Sequence, residues 1–281
     1  RRSFLRLLPN TKRLPTFIDN GVGTIQMMSA DKYAVLGSPI AHSKSPVIHR
    51  VILDHLGLDN EYLKFEVTDL ESFLESHSEF LGLSLTMPLK VQALIVAGKV
   101  SDLALEASAA NTLYLSDGVW CADNTDIFGL QQAAAHLQPK SVGVLGTGAT
   151  ARSAVMAFRN APLKLWGRRS EAAVPLAENF DASLASLQEV LSCDLVISTL
   201  PTGALSEILV GQPSFSGTLL DVAYSNKLGT EHFAESISGL DMLIWQAVGQ
   251  QRIFNGEGPE TPLEDEAKLV ETIRATLDMT K

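Results

Sequence analysis

The sequence predicts an α/β fold built as two layered parts, and three observations carry the prediction. Short apolar strands alternate with helical patterns from Tyr33 onward. A strand near residue 141 runs straight into a glycine-rich turn and a helix. The chain's 281 residues also exceed what one hydrophobic core usually organises.

Composition narrows the classes of function. Hydrophobic residues make up 46% and charged residues 19%, ordinary for a globular protein. No apolar run nears the roughly 18 residues that span a bilayer. A net charge of −10 argues against a nucleic-acid partner, whose phosphates call for a basic face. Cys121 and Cys193 stand apart and belong to no Cys/His cluster, so neither zinc nor a disulfide framework is expected, which suits a reducing cytoplasm. Residues 1–30 differ from the rest: Arg1, Arg2, Arg6, Lys12 and Arg13 face the single acid Asp19, without regular patterning. They read as an N-terminal extension outside the fold, with a transit peptide as the alternative.

YAVLG (33–37) is the first strand. In PIAHSKSPVIH (39–49) Ser45 is placed as a helix cap with Pro46 in the first position. Ile48, Val51, Ile52 and Leu56 form that helix's buried stripe, and Gly57 ends it. Ser43 is not needed for a cap, yet two hydroxyls at a helix N-terminus suit a carboxylate or phosphate. EYLKFEV (61–67) follows as a strand and LESFLESHSEF (70–80) as a helix. FLGLSLT (80–86) alternates Leu81, Leu83 and Leu85 with Gly82, Ser84 and Thr86. Met87-Pro88 breaks that strand, and Lys90 opens the next helix. NTLYL and VWCAD then flank the turn Ser116-Asp117-Gly118. The hairpin register sets Asn111 near Asn124 and leaves Asp126 at the first turn of the next helix, so Asn111 and Asp126 face one cleft.

SVGVLG (141–146) leads into GTGATA (146–151) and a helix to Phe158, the element order of dinucleotide-binding folds. Gly146 permits the tight turn and Gly148 lets the backbone approach a pyrophosphate. Ala149 and Thr150 follow, and Ala151 is small where packing is close. LKLWG ends at Gly167, where an NAD site places an acid for the ribose. Arg168 and Arg169 suit a 2′-phosphate instead, so NADP is expected over NAD, although Glu171 leaves room for NAD. DLVIST (194–199), TLLDVAY (218–224) and GLDMLI (239–244) read as further strands, and the carboxyl ends of such strands hold ligands. Ser198, Thr199 and Gly239 are therefore counted with the cofactor-binding residues. The tail 261–278 reads as an amphipathic helix with Leu263, Ala267, Val270, Ile273 and Leu277 on its apolar side.

GSPIAHSKSP, SLTMPLK, SAANTLY, DNTD, the glycine turn and GLDMLIWQA stand in the order and approximate spacing of the shikimate dehydrogenases, which the chain resembles from about Tyr33 to its C-terminus. The resemblance implies an N-terminal α/β substrate domain and a Rossmann-type dinucleotide-binding domain with a cleft between them. It implies reversible NADPH-dependent reduction of 3-dehydroshikimate to shikimate, on the way to aromatic amino acids. It also implies Lys90 and Asp126 as the catalytic pair, Asn111 and Gln246 on ring hydroxyls, and Ser43, Ser45 and Tyr224 on the substrate carboxylate. The chemistry agrees: an ammonium poised against a ketone protonates the oxyanion that hydride addition leaves, and a neighbouring carboxylate favours its charged form.

Three departures stand out. The family commonly has Asn-Val-Thr where this chain has Ser84-Leu85-Thr86, so a shorter hydroxyl replaces a substrate amide and a bridging water supplies the reach. The family's Asn-Arg-Thr and its later arginine are here Gly167, Arg168, Arg169 and Ala172. Asp241 replaces a common glycine.

The expected division is 1–30 as extension, 31–127 with 247–281 as substrate domain, and 128–246 as NADP domain. Location is expected in the cytoplasm, with no membrane partner; monomer and homodimer both stay open. Two other readings are a quinate/shikimate dehydrogenase using NAD and a ligand-sensing protein without turnover.

Overall fold

The computed structural model describes residues 30–224 and 229–279. The expected N-terminal extension thus lies, apart from Ala30, outside the described residues. In the first half the elements run β1 (Lys32–Gly37), α1 (Ser45–Leu56), β2 (Glu61–Glu66), α2 (Leu70–Ser76), β3 (Phe80–Leu85), α3 (Ala93–Val96), β4 (Lys99–Val100), α4 (Asp102–Glu106), β5 (Thr112–Ser116), β6 (Val119–Asp123) and α5 (Thr125–Ala133). The second half holds β7 (Val142–Leu145), α6 (Ala149–Ala157), β8 (Leu163–Trp166), α7 (Ser170–Asn179), β9 (Ser183–Leu184), α8 (Leu187–Leu191), β10 (Leu195–Ser198), α9 (Ala204–Leu209), β11 (Phe215–Asp221) and β12 (Phe233–Ser238). Two long helices close the chain, α10 (Gly239–Phe254) and α11 (Glu266–Met279).

The strands form two sheets, ordered β2-β1-β3-β5-β6-β4 and β12-β11-β10-β7-β8-β9. The second is wholly parallel and has the doubly wound order of dinucleotide-binding folds. All four residues of β7 and of β10 are buried, as a parallel sheet covered on both faces requires. The order of strands reverses between β7 and β10, the crevice where such folds hold ligands, and the glycine turn leaves β7 at that point.

The hairpin forms as the turn signal predicts. Thr112 pairs with Asp123, and the Asn111 amide donates to the Asp123 carbonyl. Helix α10 begins at Gly239, so GLDMLI is helical and not a strand. A short apolar run fits either form by periodicity alone. The Ser238 hydroxyl accepts the Leu240 N–H and starts the helix, and β12, just before it, completes the sheet.

Smaller corrections follow the same logic. Only residues 93–96 beyond Lys90 are helical, and α2 stops at Ser76 because Phe80 is needed in β3. Ser45 is the first residue of α1 and not its cap; the Ser43 hydroxyl accepts the Ser45 N–H at 3.3 Å instead. α11 starts at Glu266, later than the predicted tail helix. It packs with α1 and α10 through Ile48, Ile52, Ile244, Val248, Leu269 and Ile273. No helix among the described residues is long and apolar enough to cross a membrane.

Candidate active site

Lys90 sits in the tight turns after β3, held by the buried Leu89 before it and by the Ala110 N–H, which donates to its carbonyl. Its Nζ donates to Asp126 Oδ2 at 2.6 Å and lies 3.3 Å from Thr150 Oγ1. The Lys90 side chain is 13% exposed and that of Asp126 5%. Asp126 occupies the first turn of α5, where the helix dipole favours an anion. Asn124 caps that helix by accepting the N–H groups of Asp126 and Ile127.

The second Asp126 oxygen is also engaged. Asn111 Nδ2 donates to Asp126 Oδ1 at 2.9 Å and contacts Gln246 Oε1 at 3.0 Å, while Asn111 Oδ1 accepts the Thr125 N–H at 2.8 Å. The hairpin register brings Asn111 to this place, and Gln246 reaches it from α10. Lys90, Asp126, Asn111 and Gln246 therefore form one hydrogen-bonded chain that ends on the cofactor turn at Thr150.

Tyr224 lies near the serine loop: burial pushes its phenol up, and the Lys44 backbone, between Ser43 and Ser45, pulls it partly back. Thr86 ends the first strand pair: its N–H donates to the Leu36 carbonyl, and its methyl takes the space a side chain on Gly37 would need.

Ser84 is the exception. Its hydroxyl is buried, accepts from Tyr62 Oη at 2.6 Å and donates to Gln250 Oε1 at 2.7 Å. The hydroxyl's single proton is spent on Gln250, so the water-bridged role expected of Ser84 does not match its surroundings. Beside Tyr62 the His49 ring stacks at 3.8 Å and bonds Gln251 through Nδ1. Burial pushes His49 down to about 3, and its Nε2 has no hydrogen-bond partner among the described residues.

In the second sheet Gly146 takes φ +117°, and a side chain there would collide with Thr199 Oγ1. The Thr199 hydroxyl is turned to the Leu145 carbonyl at 2.9 Å, so it shapes the turn. Gly148 caps α6 without any side-chain cap bond, and open space lies where its side chain would be. The first N–H groups of α6, across Ala149, Thr150 and the buried Ala151, thus have no side-chain cap and no Cβ at Gly148 in front of them, which fits a dinucleotide's pyrophosphate. Arg168 and Arg169 are exposed just past β8, where a ribose phosphate would lie. Ser198 ends β10 with a buried hydroxyl on the side of the Asp221 carboxylate. Gly239 abuts the carbonyls of Asp221 and Val222 so closely that any side chain would strike them.

Asp241 gains a physical role: Arg274 of α11 donates to its Oδ1 from Nε at 2.9 Å and also contacts it through Nη2 at 2.8 Å, tying the two last helices. This pair borders a cavity of about 290 Å³ that also touches Tyr224 and Gly239. Neither Lys90 nor Asp126 lines this cavity. Sequence reasoning missed Asn124, Thr125, Tyr62 and Gln250. Asn124 was legible as a residue before a helical pattern, and Gln250 as the residue one turn beyond Gln246 on the same face.

Residues 35–113 match the family model described as the shikimate dehydrogenase substrate binding domain. The shikimate dehydrogenase (NADP(+)) of Ignicoccus hospitalis is 33% identical over 246 residues, covering 81% of this chain and 94% of the relative. Its counterpart in Thermus thermophilus is 31% identical over 256 residues, covering 84% and 97%. The crystal structure of shikimate dehydrogenase from Aquifex aeolicus superposes with a TM-score of 0.75 at 26% identity, covering 87% of this chain and 97% of that one. The crystal structure of a shikimate 5-dehydrogenase from Thermus thermophilus in complex with NADP(H) and shikimate gives a TM-score of 0.74 at 28% identity, covering 87% and 98%.

Proposed function

The chain belongs to the shikimate dehydrogenase family, and from that premise we propose that it is an NADP-dependent shikimate dehydrogenase, reducing 3-dehydroshikimate to shikimate and the reverse. One observation carries the reading: a half-buried lysine 2.6 Å from a buried carboxylate, in contact with the first turn of a glycine-led helix. Bound NADP(H) supplies the hydride. The α6 N-terminus and Gly148 hold its pyrophosphate, and Arg168 and Arg169 its 2′-phosphate.

Lys90 gives a proton to the carbonyl oxygen as the alcohol forms and takes it back in the reverse direction. Asp126 orients the ammonium by accepting its proton bond, and Asn111 prevents the carboxylate from turning away by holding the other oxygen. Ser43, Ser45 and Tyr224, gathered around Lys44, hold the substrate carboxylate, while Thr86 and Gln246 take ring hydroxyls; Asn111, buried with its amide protons engaged, serves the site through Asp126 instead. Residues 31–127 with 247–281 act as the substrate domain and 128–246 as the cofactor domain. The free thiols of Cys121 and Cys193 suit a cytoplasmic enzyme.

The test is absorbance at 340 nm with the four pairings of shikimate or quinate with NADP or NAD. Turnover is expected to be fastest with shikimate and NADP. Lys90→Ala lowers kcat by about two to four orders of magnitude while shikimate binding persists. No rate with any pairing refutes the reading.

A further inference from the structure

Two glutamines one helical turn apart clamp the same residue. Gln246 Oε1 contacts the Asn111 side-chain amide at 3.0 Å, and Gln250 Nε2 donates to the Asn111 main-chain carbonyl at 2.9 Å. Gln250 also donates to Thr112 Oγ1 at 3.3 Å and accepts from Ser84 Oγ, which in turn accepts from Tyr62. Gln250 is 1% exposed and Ser84 4%, so neither amide proton of Gln250 nor the hydroxyl proton of Ser84 is left for a ligand.

We infer that Gln250 is a positioning residue for the Lys90–Asp126 pair, acting through Asn111, and that it withdraws Ser84 from substrate recognition. Asn111 sits between two constraints. Its main chain, just ahead of β5, is held by the Leu85 N–H, the Asp123 carbonyl and Gln250, and its side chain is what fixes Asp126. If the Gln250 amide is removed, the Asn111 carbonyl keeps the Leu85 N–H at 2.7 Å but loses the donor that ties it to α10, and the residue gains room to shift. A displacement of that kind reaches Lys90 through one carboxylate. A buried carbonyl that goes from two donors to one is held less firmly, so the shift follows from the same polar accounting that keeps the network closed. Ser84 pairs across the sheet with Thr112 but meets Gln250 only at Oε1, so its loss leaves both Gln250 donor bonds in place.

The inference rests on the dehydrogenase reading, and its test separates the two. Steady-state kinetics with shikimate and NADP are compared for the full chain, Gln250→Met, Gln250→Ala and Ser84→Ala. Gln250→Met fills the same volume without an amide, so it guards against a variant that fails to fold. Both Gln250 substitutions are expected to lower kcat about 10- to 100-fold, with KM for shikimate within about threefold. Ser84→Ala is expected to keep KM within about threefold; a rise of tenfold or more would mean that Ser84 reads the substrate and would overturn the inference. Independently of turnover, hydrogen exchange of the Asn111 side-chain amide, followed by NMR, is expected to quicken by about tenfold in Gln250→Met. An inactive full chain refutes the dehydrogenase reading and leaves the positioning role to be judged by this exchange. Unchanged kcat or unchanged exchange in Gln250→Met overturns the positioning role.

Discussion

Lys90 Nζ stands 3.3 Å from Thr150 Oγ1, a contact that joins the turn after β3 to the glycine-led helix of the other sheet. Thr150 lies one residue inside α6, beside the backbone that would hold a pyrophosphate. Lys90 and the glycine-led turn are thereby registered to each other by a neutral hydroxyl, which adds no competing charge beside Asp126.

Thr150→Val keeps the shape of the side chain and removes its hydroxyl. The expected outcome is a fall in kcat/KM for shikimate of about 2- to 10-fold, the value of one net hydrogen bond. Steady-state kinetics at saturating NADP read it directly, and a rate equal to that of the unaltered protein would remove the contact from the reaction.

Arg168 and Arg169 are exposed and aligned with the end of β8. Replacing either by alanine is expected to raise KM for NADP by about 10- to 100-fold, a charge-assisted bond to phosphate. KM for NAD should stay within about twofold, because no 2′-phosphate is present. Equal losses with both cofactors would place the arginines elsewhere.

His49 predicts a pH dependence of stability. Burial holds the folded ring near 3, against about 6.5 in an unfolded chain. Below 6.5 the unfolded chain takes a proton that the native ring refuses, so stability falls as pH drops from about 6.5 toward 3, by about 1.4 kcal/mol per unit. His49→Phe removes this slope while keeping an aromatic ring against Tyr62. Urea unfolding at pH 7, 6, 5 and 4 should show the two proteins diverging; parallel curves would contradict the assignment.

Two ion pairs on the last helices differ in depth and therefore in worth. Arg252 is 6% exposed, pairs with both Glu266 oxygens, donates to the Pro259 carbonyl and lies over the Phe128 ring at 4.6 Å. Glu266→Ala strands this buried guanidinium and is expected to cost about 3–5 kcal/mol. Arg274 is 49% exposed, and Arg274→Ala should cost less than about 1 kcal/mol. Denaturant titration of both variants measures the contrast, and similar losses would show that burial does not set it.

Much of the architecture was legible. Alternating strands, the glycine turn and the Asp117-Gly118 hairpin are local signals, and each formed where it was read. GLDMLI was misread because six apolar-leaning residues carry no period long enough to separate strand from helix. The cap of α1 was misread because both Ser43 and Ser45 carry the same chemistry, and only the backbone path shows which hydroxyl meets an N–H.

By itself the sequence determined the α/β class, the hairpin register that sets Asn111 beside Asn124, and the glycine turn ahead of α6. These depend on neighbours within a few residues and on turn chemistry that holds in any context. The tertiary structure alone decided that Ser84 bonds Gln250 across 166 positions, that Lys90 meets Thr150 across 60, and that Arg274 meets Asp241 across 33. Those partners are chosen by which helix packs over which sheet, because a buried polar group takes whatever complementary group the packing presents.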